Sequence, residues 1–312
     1  DEEGVSLGIV VAEHKPGMLG QYRMAACVRD VWPMEDRGLK VLPEWLEYHL
    51  AHGVDHFLIY TVNIDLPDLV KIYEPYIQSG KATRIHINYE FEPGVQAADA
   101  RHEINTADCL YRLKNHAEWV MPTVDIDEFL VAKNNELYPG NQIPQDFIGS
   151  TWDAVLQKYH HEREQVNSIH MKIYRFQPGN SGELDLRSTT RDNETQPGFP
   201  KYVFRPKAVN ALWVHWVSSW VNGTKSLEIP NSKVVLHHIR TMKGLTPTYY
   251  RNRIVPNITD ETLAHYADEL ENDLSKRYGR DAKSLLKEWQ EVPPVLSVGN
   301  FNLKKFEEDE DG

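Results

Sequence analysis

Within the first 124 residues, apolar runs alternate with amphipathic ones, and that alternation is what most limits the fold. Tyr22–Val28 (YRMAACV) reads as a strand. A helix opens at Pro43 and runs to about His52, with Leu42, Trp45, Leu46, His49 and Leu50 at helical spacing and Gly53 as its stop. HFLIYTV (56–62) reads as a buried strand. Leu66, Leu69, Val70, Tyr73 and Ile77 mark a second helix that stops at Gly80. ATRIHINY (82–89) alternates like a third strand, residues 95–116 read as a long helix, and EWVMPTV (118–124) is a fourth strand. Strands separated by helices imply a parallel sheet covered on both faces. In such sheets a ligand binds beyond the carboxyl ends of the strands.

The fourth strand ends in Asp125-Ile126-Asp127-Glu128 before the apolar pair Phe129-Leu130. A buried strand has no packing use for three carboxylates at its tip. Side chains two apart share a face of an extended chain, so Asp125 and Asp127 can face one cation together. Hard divalent ions such as Mn²⁺ and Mg²⁺ take carboxylate oxygens and bridge to phosphates. The competing reading of any Asp-x-Asp is a solvated acidic turn.

The second half is less regular. Residues 150–175 suggest a helix, followed by a strand, IHMKIYRF (169–176). Residues 177–200 are rich in Gly, Pro, Ser, Thr and Asn and read as a long loop of the kind that carries function. KYVFRP (201–206), ALWVHWVSSW (211–220) and SKVVLHHI (232–239) read as three strands, and about Thr259 to Gln290 as helical. The expected division is an N-terminal segment (1–21), a nucleotide-binding half (22–130), an acceptor-binding half (131–295) of the same domain, and an acidic, disordered tail (296–312).

With 34 basic against 46 acidic residues the net charge is −12, which argues against nucleic acid as a partner. An acidic chain that binds an anionic diphosphate needs a local cation, and a metal on the Asp pair would supply it. No run reaches the ~20 apolar residues of a membrane span. No signal peptide is visible, and Asp1-Glu2-Glu3 is an unusual native start, so the chain reads as a trimmed one in which a missing anchor says little about the parent protein. Cys27 falls on a strand and Cys109 on a helix, and the expectation is two buried free thiols rather than a disulfide. Asn193, Asn222 and Asn257 begin Asn-x-Ser/Thr sequons.

The order of landmarks resembles glycosyltransferase family 92, a GT-A group. The matching segments are CVRDVWPMEDRGLKVLPEWLEYHLAHGVDHFLIY (27–60), TADCLYR (106–112), AEWVMPTVDIDEFL (117–130), FQPGNSG (176–182), KYVFRP and LHHIRT (236–241). The resemblance covers roughly residues 22–255. It implies a GT-A fold: a Rossmann-like mixed sheet flanked by helices, with the Asp-x-Asp at a strand end. It also implies a divalent metal, usually Mn²⁺, a nucleotide-sugar donor, most often UDP-galactose, and inversion at the anomeric carbon. Acceptors are glycans or cell-wall polysaccharide, and the setting is the Golgi lumen behind a type II membrane anchor. The sequence departs from the family where Tyr60-Thr61-Val62-Asn63-Ile64-Asp65 replaces a Tyr-Asp-Asn-x-Ser pattern, near the expected place of base and ribose.

On this footing Asp125 and Asp127 are the expected metal ligands, with Asp125 also on the donor side and Glu128 orienting the site. His238, from LHHIRT, is the expected third ligand, with His215 the runner-up. Arg29 and Lys201 match basic positions of the family and are candidates for the phosphates. An inverting transfer needs a base for the acceptor hydroxyl, and Asp192 and Glu183 are the candidates. Trp213, Trp216 and Trp220 could stack on sugars or pack in a core. Strand periodicity over 211–220 would put Trp213 and His215 on one face and Trp216 on the other. Two other classes compete: a catalytically inactive glycan-binding protein of the same fold, and a metal-dependent hydrolase. The hydrolase needs a denser histidine cluster than the sequence offers.

Overall fold

The computed structural model describes residues 22–28, 39–62, 67–87, 97–132, 166–176, 183–187, 190–191, 201–221, 225–228, 234–239, 258–259, 261 and 263–291. The first half follows the alternation: β1 (Tyr22–Val28), α1 (Val41–Ala51), β2 (His56–Val62), α2 (Pro67–Gln78), β3 (Ala82–Ile87), α3 (Ala97–Leu113) and β4 (Ala117–Val124). β5 (Glu128–Ala132), β6 (Val166–Met171), β7 (Ile173–Phe176), β8 (Thr190–Arg191), β9 (Lys201–Phe204), β10 (Val209–Leu212), β11 (Val217–Trp220), β12 (Lys225–Glu228), β13 (Val234–Ile239) and β14 (Ile258–Thr259) follow. Two helices, α4 (Ala267–Tyr278) and α5 (Ala282–Gln290), close the described chain.

The main sheet has seven strands in the order β12-β6-β9-β4-β1-β2-β3. β1, β2, β3 and β4 are mutually parallel, and β9 runs antiparallel between β4 and β6. The sheet is therefore mixed, and strands from both parts of the chain build it. A second sheet, β14-β8-β7-β13-β5, stands beside it.

Period-two alternation divides the core between the faces of the main sheet. Met24, Ala26, Val28, Phe57 and Ile59 pack toward α1, α2, α4 and α5. Ala25, Cys27, Leu58, Tyr60 and Ile85 pack toward α3 and the β10–β11 hairpin. α1 is enclosed on all sides, being buried from Val41 through His49. Full burial of Trp45 contributes about 2–3 kcal/mol. Glu47 of α1 accepts from Tyr76 Oη (2.9 Å) and from the Arg277 guanidinium.

Four expectations are corrected. Cys27 and Cys109 are a disulfide (S–S 2.03 Å), not two free thiols. Cys27 points from β1 into the layer where α3 lies, and its Cα stands 6.2 Å from that of Cys109, a separation a disulfide spans. Residues 169–176 are not one strand. β6 belongs to the main sheet and β7 to the second, and the carbonyl of Lys172 between them accepts from Leu236 N–H (2.9 Å). Residues 211–220 are a hairpin, β10 against β11, closed by Trp213 N–H to the Trp216 carbonyl (2.8 Å). The helical stretch to Gln290 is broken at Gly279, whose φ of 63° suits a residue without a Cβ. The expected helix before β6, the tail and the three sequon asparagines lie outside the described residues.

Candidate active site

The parallel strands β1, β2, β3 and β4 finish at Val28, Val62, Ile87 and Val124. Asp125 is the next residue after β4. The chain then turns, with Glu128 N–H donating to the Asp125 carbonyl (2.9 Å), and re-enters as β5 in the second sheet. The acidic run is thus the crossing between the two sheets, which is why it can carry carboxylates where an uninterrupted strand could not.

β13 lies antiparallel to β5 with His238 opposite Glu128. That register brings His238 to the acidic turn. Its Nε2 stands 3.4 Å from Asp127 Oδ2, and its Nδ1 stands 3.8 Å from Glu128 Oε1. β9, antiparallel to β4, begins at Lys201 and so presents it at the β4 exit. Lys201 Nζ lies 3.2 Å from Asp125 Oδ2 and 3.1 Å from Glu128 Oε2. The five groups form an alternating chain, Asp125–Lys201–Glu128–His238–Asp127. Glu128 is at its centre and also accepts the Asp125 backbone N–H (3.0 Å).

Asp127, Glu128, Lys201 and His238 are buried and Asp125 is half-buried. Burial pushes the Glu128 carboxyl up, and Asp125 and Asp127 add to that, against Lys201 and His238. Burial of the His238 ring opposes its charged form, but Asp127, Glu128 and Asp125 outweigh it and hold its pKa above the usual value. α1 fixes the backbone beneath: Trp45 Nε1 donates to the Glu128 carbonyl (2.8 Å) and Tyr48 Oη to the Leu130 carbonyl (2.5 Å).

Two carboxylates and an imidazole suit a divalent ion. Adjacent ligands each about 2.1 Å from one ion stand about 3 Å apart, close to the Asp127–His238 spacing. Asp125 is turned onto Lys201. Among the described residues no group of three or more His, Cys, Asp or Glu side chains is already gathered as a ligand set.

Of the other residues expected from the sequence, His215 sits in the hairpin turn, edge-on to Trp213. Glu183 precedes a short helical turn, 185–187, and its carbonyl accepts from Lys40 Nζ (2.5 Å). Arg29 and Asp192 lie outside the described residues. Sequence reasoning missed the buried group behind Glu183. Lys40 Nζ contacts Asp185 Oδ1 (3.1 Å), and Glu44 accepts from the N–H groups of Asp185 (2.9 Å) and Leu186 (2.6 Å). Its one signal was a Lys–Glu pair at i, i+4 at the start of a helix that is mostly apolar.

A model of glycosyltransferase family 92 matches residues 22–274. The chain belongs to that family. A family 92 protein of Oryza sativa subsp. japonica, Os08g0121900, is 25% identical over 206 residues, 64% of this chain and 31% of that protein. The galactan beta-1,4-galactosyltransferase GALS1 of Arabidopsis thaliana is 22% identical over 279 residues, 83% of this chain and 50% of that protein. A family 92 protein of Ricinus communis, RCOM_0530710, is 28% identical over 236 residues, 74% of this chain and 38% of that protein. The chain therefore spans between about a third and a half of the length of these relatives. Among the described residues no helix of this family 92 chain is long and apolar enough to cross a membrane.

Proposed function

We propose that this chain is a metal-dependent, inverting glycosyltransferase that moves a hexose, galactose from UDP-galactose, onto a glycan or polysaccharide acceptor. The observation that carries the proposal is the meeting of Asp125, Asp127, Lys201 and His238 at the exit of a central parallel strand, in a family 92 chain. The galactosyltransferase named among its relatives supports the choice of sugar.

Asp127 and His238 would hold the ion, with Asp125 joining once Lys201 moves to a phosphate. Mn²⁺ or Mg²⁺ would supply Lewis-acid stabilisation of the departing diphosphate. Lys201 is placed to add a second cation beside it. In the transfer the acceptor hydroxyl oxygen bonds to the anomeric carbon as the bond to the diphosphate oxygen breaks. The hydroxyl proton passes to a carboxylate base, Glu183 or Asp192. Arg29, a basic position of the family in the sequence, is a candidate for the donor phosphates. A disulfide suits an oxidising compartment, which supports a Golgi lumenal setting.

One observation favours a second reading. Asp125 and Asp127 already have cationic partners in Lys201 and His238, as a catalytically inactive, glycan-binding relative of the same fold could have. Thermal stabilisation by a panel of nucleotide sugars, with and without Mn²⁺, separates the two. Ligands that bind the folded state raise its stability by mass action. The expected result is a Mn²⁺-dependent shift with UDP-galactose that the Asp125→Ala, Asp127→Ala variant loses. A shift with a different nucleotide sugar would overturn the donor. No shift with any donor or metal would leave the inactive reading standing.

A further inference from the structure

The β10–β11 hairpin ends in aromatic residues that the core does not absorb. Trp216 is 44% exposed. Its ring packs on Trp213 with centroids 4.0 Å apart and planes inclined by 37°. Trp213 is held by three hydrogen bonds. Trp213 N–H donates to the Trp216 carbonyl, Trp213 Nε1 donates to Glu103 Oε1 on α3 (3.1 Å), and the Trp213 carbonyl accepts from Tyr202 Oη (2.6 Å). His215 lies beside them, 5.3 Å from the Trp213 ring.

The tether locates the tip. Tyr202 follows Lys201 on β9, and alternation sends their side chains to opposite faces of the sheet. Lys201 reaches Asp125 while Tyr202 reaches the hairpin. The hairpin is thus tied through Tyr202 to the residue next to Lys201 on β9, on the face of the sheet opposite Lys201.

We propose that Trp216, braced by Trp213, is a stacking platform for a unit of the acceptor glycan, apart from the unit that reacts. This rests on the glycosyltransferase reading and extends it to the binding of a chain. A pyranose ring offers an apolar C–H face the size of an indole and a rim of hydroxyls. The tip offers an exposed indole with a carboxylate and an imidazole beside it, so both halves of the sugar find a partner. The bracing bonds pre-order the ring, so little freedom is lost on binding. One indole face is far smaller than the ~1,000 Å² that a stable protein interface buries. Glu103 beside it and a net charge of −12 oppose an anionic lipid surface.

The test is binding of short β-linked galacto-, gluco- and N-acetylglucosamine oligosaccharides to the intact chain without donor. Tryptophan fluorescence and calorimetry are the readouts. At least one series is expected to bind. Trp216→Ala is expected to weaken it about tenfold, in line with one lost stacking contact, while Trp216→Phe keeps most of the affinity. With a competent donor, Trp216→Ala is expected to raise KM for an oligosaccharide acceptor about tenfold and leave KM for a monosaccharide acceptor alone. Circular dichroism on each variant guards against misfolding, and Trp213→Ala, which removes the brace, gives a second, independent loss. Absence of binding by the intact chain, or equal binding by both alanine variants, overturns the platform. So does a loss confined to self-association or to phosphatidylcholine vesicle binding. Nucleotide-sugar stabilisation, read in parallel on the intact chain, reports on the acidic turn alone. Its failure would sink the donor site while oligosaccharide binding still judged the tip.

Discussion

Lys201 Nζ lies 3.2 Å from Asp125 Oδ2, and the same ammonium lies 3.1 Å from the buried Glu128. One cation therefore ties the end of β4 to the start of β5 and neutralises part of the acidic turn. Lys201→Met would leave Glu128 buried with one cationic neighbour fewer. Removing one partner of a buried ion pair costs about 3–5 kcal/mol, and urea unfolding is expected to show a loss of that order. Lys201→Arg should lose less. A Lys201→Met protein as stable as its parent would remove Lys201 from this structural part.

The Cys27–Cys109 bond closes a loop across 82 positions. In the chain-entropy description a cross-link of that span stabilises by roughly 4–5 kcal/mol. Cys27→Ser, Cys109→Ser is expected to lose most of this. The parent should show no thiol reactive to a thiol reagent in denaturant until it is reduced. A double-serine variant that melts with the parent would show that the strand–helix packing holds without the bond.

The sequence carried the first half well because each strand there is a short apolar run buried on two faces, and a helix such as α2 buries one stripe, Leu69, Ile72, Tyr73 and Tyr76, so periodicity reports burial directly. Tyr22–Val28 and His56–Val62 emerged with the expected bounds. Trp213 to Trp216 did not, since no Gly, Pro or Asn-Gly marks that turn and its closure depends on Tyr202 and Glu103, distant in the chain. The disulfide was illegible for a related reason: each cysteine looked like a small core residue, and only the crossing of α3 over β1 joins them. Asp125 and Asp127 stood out because carboxylates at the tip of an apolar run have no packing role. The meeting of His238 with Asp127 came from the family resemblance and not from spacing, because a β5–β13 register cannot be read from either strand alone.

His49 and His52 predict acid sensitivity. Burial lowers their pKa values from 6.5 to about 3 and about 4. They sit among Trp45, Tyr48, Phe129 and Tyr266, with Nδ1 of each bonded to a backbone carbonyl. Well above pH 6.5 both rings are neutral folded or unfolded, and the full stability is present. As pH falls below 6.5 the unfolded chain takes up protons that the folded chain refuses. Stability then drops until the folded values are reached. Each ring contributes up to about 1.4 kcal/mol per pH unit. Denaturant unfolding between roughly pH 5 and 6.5 reads this slope as the difference between the parent and a histidine variant, because Glu44, pushed up to about 8, adds a dependence of opposite sign in the same window. His52→Phe should lower it by about one ring's share, and an unchanged slope would refute the assignment.

Glu44 holds the segment that carries Glu183. Its two oxygens accept from consecutive backbone N–H groups at Asp185 and Leu186, while Lys40 spans Asp185 and the Glu183 carbonyl. Burial and the Asp185 charge push the Glu44 carboxyl up to about 8, against Lys40 and the two N–H donors. Glu44→Ala strands two buried donors, each costing about 1–3 kcal/mol, and frees the 183–187 turn from α1. Two effects are expected together. Stability should fall by at least about 2 kcal/mol. If Glu183 is the base, kcat should also fall tenfold or more while nucleotide-sugar stabilisation persists, because the acidic turn is held separately by Trp45 and Tyr48. Glu44→Gln keeps one acceptor and should lie between. A Glu44→Ala enzyme that is less stable but turns over normally would move the base away from Glu183 and toward Asp192.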